Sequence, residues 1–159
     1  MEKIVMGSDL SGFDLKEAVK KHLTDLGYEI DDQGTLDPSN PFMYYEVAEK
    51  IAQQISDQKY KRGILICGTG MGMSVVANKF PGVYAAVCEN TYAAEKARAI
   101  NDANVLTMGG WITGTTLGCT IAERFLNTEF TQGLEDWRAK NLLRARDKIK
   151  EMEQKLYQK

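Results

Sequence analysis

Five short apolar runs, each followed by an amphipathic stretch, organise most of the chain. Strands are predicted for KIVMG (3–7), GYEIDD (27–32), GILICG (63–68), VYAAVC (83–88) and VLTMGG (105–110). Helical spacing of apolar residues predicts helices over 12–26, 44–57, 71–79, 91–100 and 114–127. These repeated strand–helix units predict an α/β fold, a doubly wound, Rossmann-like parallel sheet of five strands with helices on both faces. The segment TLDPSNPFM (35–43) contains two prolines and is predicted to be a loop at one end of the sheet.

Length and charge exclude several classes of protein. The chain has 159 residues, so 1–159 is predicted to be a single domain. Its 20 basic and 22 acidic side chains give a net charge of -2, without the basic excess that nucleic-acid binding requires. The amino terminus lacks a signal-peptide core, and no apolar run approaches the ~18 residues of a membrane span. We therefore expect a soluble, cytoplasmic protein that binds neither nucleic acid nor membrane.

The cysteine content also limits the chemistry. Cys67, Cys88 and Cys119 are odd in number, widely spaced and contain no CxxC pair. This spacing predicts neither a disulfide framework nor a zinc site, and we expect no metal. Cys88 ends a strand without following glycines and Cys119 lies in a helical stretch, so both are predicted to be core residues.

The last 26 residues, 134–159, are predicted to form a highly charged helix. Its apolar residues recur at alternating steps of three and four, namely Leu142, Ala145, Ile149, Met152 and Leu156. Such a seam favours a partner helix, so we expect a C-terminal arm used in oligomerisation. A helix lying back on its own domain is the alternative, because only about two heptads are covered.

The residues that follow the strands are the candidate site, because ligands of parallel α/β sheets bind at the carboxyl ends of the strands. Asp9 and Ser11 follow the first strand, and CGTGMGMS (67–74) follows the third. Glycines at 68, 70 and 72 let the backbone approach a ligand closely and present free N–H groups at the start of a helix. This arrangement predicts an anion hole.

Cys67 lies where these amides begin, and amides at a helix start favour the thiolate form of cysteine. A thiolate beside an anion hole can remove a proton next to a carbonyl while the hole stabilises the resulting enediolate. Aldose–ketose isomerisation requires this pairing. In the alternative interpretation Cys67 merely finishes an apolar strand and the glycines allow tight packing. The loop GTGMG matches neither a P-loop nor a dinucleotide-binding fingerprint, so no nucleotide cofactor is expected.

Three segments, GSDLSGFDLK, ILICGTGMGMSVVANKFPGVYAAVC and NDANVLTMGG, resemble the ribose-5-phosphate isomerase B family, which includes the galactose-6-phosphate isomerase subunits. The resemblance covers about residues 3–130. It implies a sugar-phosphate isomerase without metal or cofactor that assembles as a homodimer or homotetramer. It also implies catalytic roles for Cys67, as the base, and Thr69. The substrate-binding residues that we expect are Asp9, Ser11, Tyr44, Gly68, Gly70, Gly72, Ser74, Asn101 and Arg138.

The chain departs from the family pattern at four positions. Leu10 and Ile100 stand where the family has histidines, the second of which opens the sugar ring. Trp111 and Leu134 stand where it has phosphate-binding arginines, which leaves Arg138 as the remaining candidate. The only histidine, His22, is predicted to be structural on the apolar face of the first helix.

Several explanations accommodate these losses. The substrate can be a four-carbon sugar phosphate too short to close a ring. A different subunit can complete the site, because GGWITGTTLGC (109–119) resembles the galactose-6-phosphate isomerase B subunit. The substrate can also be unphosphorylated or differently charged, with Trp111 stacked on the sugar or simply packed. A non-catalytic sugar-binding relative is a further alternative, although a pure binder has no need of Cys67.

Overall fold

The computed structural model describes residues 2–158 and contains the predicted alternation of strands and helices. In chain order the elements are β1 (Lys3–Ser8), α1 (Phe13–Asp25), β2 (Glu29–Asp32), α2 (Tyr44–Ser56), β3 (Gly63–Cys67), α3 (Met71–Ala77), β4 (Ala85–Val87), α4 (Thr91–Asn101), β5 (Val105–Gly109), α5 (Thr115–Leu126) and α6 (Asp136–Tyr157). Residues 35–43 form the predicted loop between β2 and α2.

The five strands form one parallel sheet in the order β2-β1-β3-β5-β4, which confirms the predicted fold class. The connection from β1 leads outward to β2, whereas the connection from β3 leads to the opposite side, towards β4. The direction of winding therefore reverses between β1 and β3. In sheets of this kind the crevice at the carboxyl ends of two such strands is where ligands bind.

Each face of the sheet is covered by helices, because the buried strands are apolar on both sides. Ile64 and Ile66 of β3 belong to a core with α1, α4 and α5, whereas Leu65 and Cys67 belong to a second core with α2 and α3. This alternation follows from the two-residue period of a strand. It directs the Cys67 side chain towards Met73 and the other apolar residues of α2 and α3.

The predicted element boundaries are least accurate at the two edge strands. Strand β2 begins at Glu29 instead of residue 27, and β4 contains only Ala85–Val87. An edge strand has one hydrogen-bonding neighbour, so pairing with that neighbour determines where it begins and ends. His22 lies in the last turn of α1, and its Nε2 is 3.1 Å from Glu123 Oε2 of α5. It is half-buried and links two helices, as the predicted structural role requires.

Helix α6 lies against its own domain at the amino ends of the strands. Glu153 accepts hydrogen bonds from the Gly82 N–H (2.8 Å) and the Tyr84 hydroxyl (3.1 Å), and the Tyr157 hydroxyl donates to the Lys79 carbonyl (2.6 Å). These contacts are polar and leave most of the predicted apolar seam exposed, with Leu142 half-buried. Its members Ile149, Met152 and Leu156 are 46%, 60% and 69% exposed. Lys159, the last residue of the predicted arm, lies outside the described residues.

None of the helices within residues 2–158 is long and apolar enough to cross a membrane. The expected cytoplasmic location stays a prediction.

Candidate active site

The loops after β1, β3 and β5 meet at the carboxyl edge of the sheet, and glycines allow the contact. A Cβ atom on Gly12 would lie 2.4 Å from the Ile66 carbonyl oxygen, and one on Gly110 would lie 2.5 Å from the Ser11 carbonyl oxygen. Because real Cβ atoms do not approach backbone oxygens so closely, these positions require glycine for packing. The three loops therefore form one continuous surface around the end of β3.

Cys67 ends β3 at the base of this surface. Its side chain is 5% exposed, and Sγ accepts a hydrogen bond from the Gly70 N–H at 3.1 Å. Gly70 has φ +79°, a left-handed conformation that glycine adopts without strain. The turn at Gly70 thus directs an amide at the sulfur, while the other side of Cys67 contacts the apolar core. Both interpretations of Cys67 made from the sequence describe part of its surroundings.

Among the contacts of residues 2–158, neither of the other two thiols accepts a hydrogen bond from a backbone amide. Burial raises the pKa of the Cys88 thiol to about 11, and its Sγ lies 3.8 Å from the Ala86 carbonyl oxygen. Burial also raises the pKa of the Cys119 thiol, whose Sγ lies 3.6 Å from the Ala18 carbonyl oxygen. Cys88 belongs to the core, in agreement with the prediction, whereas Cys119 is half-buried and packs against the core.

Two aromatic rings lie against the glycine loop, residues 68–72. A Cβ atom on Gly68 would be 2.8 Å from Cδ2 and Cε3 of Trp111, so the indole covers that residue. The backbone N–H of Trp111 also donates to the Gly68 carbonyl oxygen at 2.9 Å. At the other end of the loop, a Cβ atom on Gly72 would be 2.7 Å from Cε2 of Tyr44. Trp111 packs with one face and remains 74% exposed, which leaves its outer face free.

Asp9 and Ser11 lie beside the glycine loop, after β1. Asp9 Oδ1 accepts a hydrogen bond from the Gly12 N–H at 3.0 Å. Burial raises the pKa of the Asp9 carboxyl, although the N–H groups of Gly12 and Ser11 act in the opposite direction. The second carboxylate oxygen of Asp9 makes none of the protein hydrogen bonds found in residues 2–158, and the side chain is only half-buried. A ligand hydroxyl can therefore donate to it.

The hydroxyls of Thr69 and Ser74 are both engaged within the fold. Thr69 Oγ1 accepts from the Met71 N–H at 3.3 Å, at the start of α3. Ser74 lies one turn further along α3, where its hydroxyl donates to the Ala85 carbonyl oxygen at 3.4 Å. Thr69 therefore lies within the glycine loop, whereas Ser74 is directed towards β4.

Asn101 and Arg138 lie at the opposite edge of the sheet from Cys67. Asn101 is the last residue of α4, just before the amino end of β5, and Arg138 is in the first turn of α6, the helix packed on that edge. Cys67 pairs with Gly109 at the carboxyl end of β5, and this strand is roughly 13 Å long at ~3.3 Å per residue. One chain therefore does not bring these two predicted residues to the glycine loop.

Lys16 also lies close to the site and was not predicted from the sequence. This side chain is fully buried on α1 and contacts the loop between β2 and α2. The signal was present in the sequence, because Lys16 follows Leu15 and precedes Val19 by three residues, within the apolar stripe of the helix.

The fold and the loops at its carboxyl edge define an α/β protein with a glycine loop beside a cysteine. The family described as Ribose/Galactose Isomerase matches residues 4–142. The chain is 58% identical over 157 residues to the 4-deoxy-4-sulfo-D-erythrose isomerase of Clostridium sp. (strain MSTE9), covering 99% of both chains. It is 41% identical over 135 residues to the D-erythrulose-4-phosphate isomerase of Pectobacterium atrosepticum, covering 84% of this chain and 88% of that one.

Among solved structures, the ribose-5-phosphate isomerase B of Clostridium thermocellum superposes with a TM-score of 0.86 at 38% identity, covering 97% of this chain and 99% of the other. The chain belongs to the ribose/galactose isomerase family. It is an aldose–ketose sugar isomerase, which confirms the predicted reaction class.

Replacing Gly70 tests the turn that directs an amide at Cys67. Gly70→Ala should lower the free energy of unfolding by about 1–3 kcal/mol because alanine is strained in the left-handed conformation. The loss should be larger still, because the added Cβ would lie 2.8 Å from the Met108 carbonyl carbon. Gly82→Ala is the matched control, since Gly82 has φ +77° but no atom within 4 Å of the added Cβ. Urea unfolding should show a larger loss of stability for Gly70→Ala than for Gly82→Ala, and Gly70→Ala should also lose isomerase activity. Equal losses of stability would contradict the packing argument.

Proposed function

We propose that this protein interconverts 4-deoxy-4-sulfo-D-erythrose and its ketose isomer. The observation that carries the proposal is the 58% identity, over 99% of both chains, to an isomerase named for that sugar. The four departures from the family pattern support it. They combine two explanations left open by the sequence, a four-carbon substrate and a charged group other than phosphate.

The lost histidines fit a sugar that cannot form a ring. A four-carbon aldose closes a five-membered ring only through its C4 hydroxyl. In the 4-deoxy-4-sulfo sugar this hydroxyl is replaced by a carbon–sulfur bond, so the open-chain aldehyde is the form available to the enzyme. An acid that opens the ring is then not needed, which is consistent with Leu10 and Ile100 standing where the family has histidines.

The lost arginines fit a sulfonate. A phosphate monoester carries a charge of about −1.5 to −2 near neutral pH and is bound best by several arginines. A sulfonate carries one negative charge and has no titratable hydroxyl. It requires fewer cationic partners, which is consistent with Trp111 and Leu134 in place of arginine and with Arg138 as the remaining cation.

In the proposed mechanism Cys67 is the base. Its thiolate removes the proton from C2 of the aldose, and the electron pair forms the C1–C2 double bond of an enediolate. The glycine-loop amides and Thr69 stabilise the oxygens, while Asp9 accepts a hydrogen bond from a sugar hydroxyl. The thiol then returns the proton to C1, and the O2 proton passes to O1, which gives the ketose. The N–H of Gly70, 3.1 Å from Sγ, donates the hydrogen bond that a thiolate would accept, and hydrogen bonds to ionised acceptors are strong.

We also propose that a second copy of the chain completes the site. Asn101 and Arg138 are exposed at the amino edge, away from the Cys67 of their own chain. A two-fold axis that places the amino edge of one chain over the carboxyl edge of the other would bring both residues to the partner's glycine loop. The uncovered seam of α6 supplies apolar surface for this contact, in line with the predicted oligomerisation arm.

A substrate panel tests the proposed sugar. The protein expressed alone is incubated in D₂O with 4-deoxy-4-sulfo-D-erythrose, erythrose 4-phosphate and ribose 5-phosphate, and deuterium incorporation is followed by NMR. We expect kcat/KM for the sulfonate to exceed that for either phosphate by at least about tenfold. A phosphate would lack at least one of the charged hydrogen bonds that it needs, and one such bond accounts for about this factor. A preference for ribose 5-phosphate would contradict the proposal. Activity of the chain alone would exclude the need for a different subunit, and absence of exchange with all sugars would favour a non-catalytic binder.

Cys67→Ala tests the base. Removal of a general base typically costs a factor of about 10²–10⁴, so deuterium exchange at C1 and C2 should fall by at least about a hundredfold. Cys88→Ala is the control, since Cys88 is also a strand-end cysteine but is not at the site. It should retain activity even if the melting temperature falls. A Cys67→Ala protein with more than a tenth of the wild-type exchange rate would require another base.

Mixing two inactive variants tests the shared site. One chain carries Cys67→Ala and the other carries Asn101→Ala with Arg138→Ala, and the two are co-expressed. If each site takes Cys67 from one copy and Asn101 and Arg138 from the other, every mixed dimer contains one intact site. Random pairing makes half the dimers mixed, so activity should recover to about a quarter of wild type. A co-expressed mixture as inactive as the two parents would contradict the shared site.

A further inference from the structure

A fully buried ammonium group lies behind the loop that leads into α2. Lys16 Nζ contacts Asp32 Oδ2 at 2.5 Å, Glu17 Oε1 at 2.8 Å and the Thr35 carbonyl oxygen at 2.7 Å. The side chain of Lys16 is 0% exposed, which is unusual for lysine. A buried lysine needs polar partners for its ammonium, and Lys16 donates hydrogen bonds to Asp32 and Thr35 and forms an ion pair with Glu17.

Thr35 connects this ammonium to both ends of the loop. Its N–H donates to the Ser8 carbonyl oxygen at 2.8 Å, which fixes the loop to the end of β1. Its Oγ1 accepts from the Phe42 N–H at 3.0 Å, which fixes the far end of the loop. Gly34 lies so close to β1 that an added Cβ would be 2.2 Å from the Ser8 nitrogen. The loop is therefore tied by backbone contacts to the strand that precedes Asp9.

The loop ends where Tyr44 begins α2. Phe42 directly precedes Met43, the N-cap residue of α2, and the ring of Tyr44 rests on Gly72 of the glycine loop. We propose that Lys16 is a positioning residue, which holds Thr35 and thereby places Tyr44 against the glycine loop beside Cys67. This inference rests on the proposed function only for its kinetic test.

Lys20 provides an internal comparison. It lies one turn after Lys16 and contacts the same two carboxylates, Glu17 at 2.6 Å and Asp32 at 2.7 Å. Its ammonium makes no hydrogen bond to Thr35 among the contacts of residues 2–158, and its side chain is 28% exposed. The two lysines therefore share their ionic partners and differ in burial and in the bond to the loop.

Kinetics of three single variants test the proposal. Lys16→Met and Thr35→Val each remove one link between α1 and Phe42, so each should raise KM for the four-carbon sugar by roughly tenfold, the effect of about one hydrogen bond, with a smaller change in kcat. Lys20→Met removes ionic contacts alone and should leave KM within about twofold of wild type. An unchanged KM in Lys16→Met, or an equal rise in Lys20→Met, would overturn the proposal. Thr35→Val carries the test if Lys16→Met does not fold.

A second comparison separates positioning from general destabilisation. In a Tyr44→Ala background the ring is absent, so adding Lys16→Met should raise KM by less than about twofold. An undiminished tenfold rise would show that Lys16 acts by another route. Melting temperatures of all variants are also measured, because a general loss of stability caused by Lys16→Met should be the same in both backgrounds.

Hydrogen exchange provides a readout that does not depend on the substrate. Amide protection at Phe42 and Thr35 should fall at least about tenfold in Lys16→Met and stay near wild type in Lys20→Met. If the protein fails to isomerise the sulfonate sugar but shows this difference, the proposed function fails and the positioning role stands. Equal protection of these two amides in wild type and Lys16→Met would overturn the positioning role whatever the substrate.

Discussion

Close backbone packing at the carboxyl edge is the constraint on which the site depends. The loops after β1, β3 and β5 touch through Gly12 and Gly110, where a side chain would collide with a carbonyl oxygen. The parallel sheet ends these strands at one edge, and the glycines let the loops close over it. The turn at Gly70 then brings an amide to Cys67. A cysteine that ends a buried strand thereby gains a hydrogen bond suited to negative charge.

The proposed substrate accounts for the lost side chains together. A sugar without a ring needs no histidine to open it, and a sulfonate needs fewer cations than a phosphate. The residues that we propose for proton transfer, Cys67 and the glycine loop, belong to the part of the family pattern that is retained. Trp111 covers Gly68, so an apolar surface borders the glycine loop.

Much of the fold could be predicted because it depends on short-range patterns. The alternation of strands and helices, the loop over 35–43 and the candidates after β1 and β3 follow from periodicity and from the position of glycines. Asn101 and Arg138 were grouped with Cys67 through the resemblance to the family. Parallel topology places a residue that leads into β5 at the amino edge, so the sequence pattern already held the information that separates Asn101 from Cys67.

By itself the sequence determined that the chain builds a two-faced parallel sheet and ends one buried strand with a cysteine before a glycine loop. These features are local, so the hydrophobic periodicity and the residue types of short segments specify them. Only the tertiary structure decided that Lys16 is buried under the Thr35 loop, that Trp111 rests on Gly68, and that the α6 seam faces solvent. Each of these depends on residues far apart in the chain, and a lysine or tryptophan in a helix or loop has many surfaces it can contact until packing selects one.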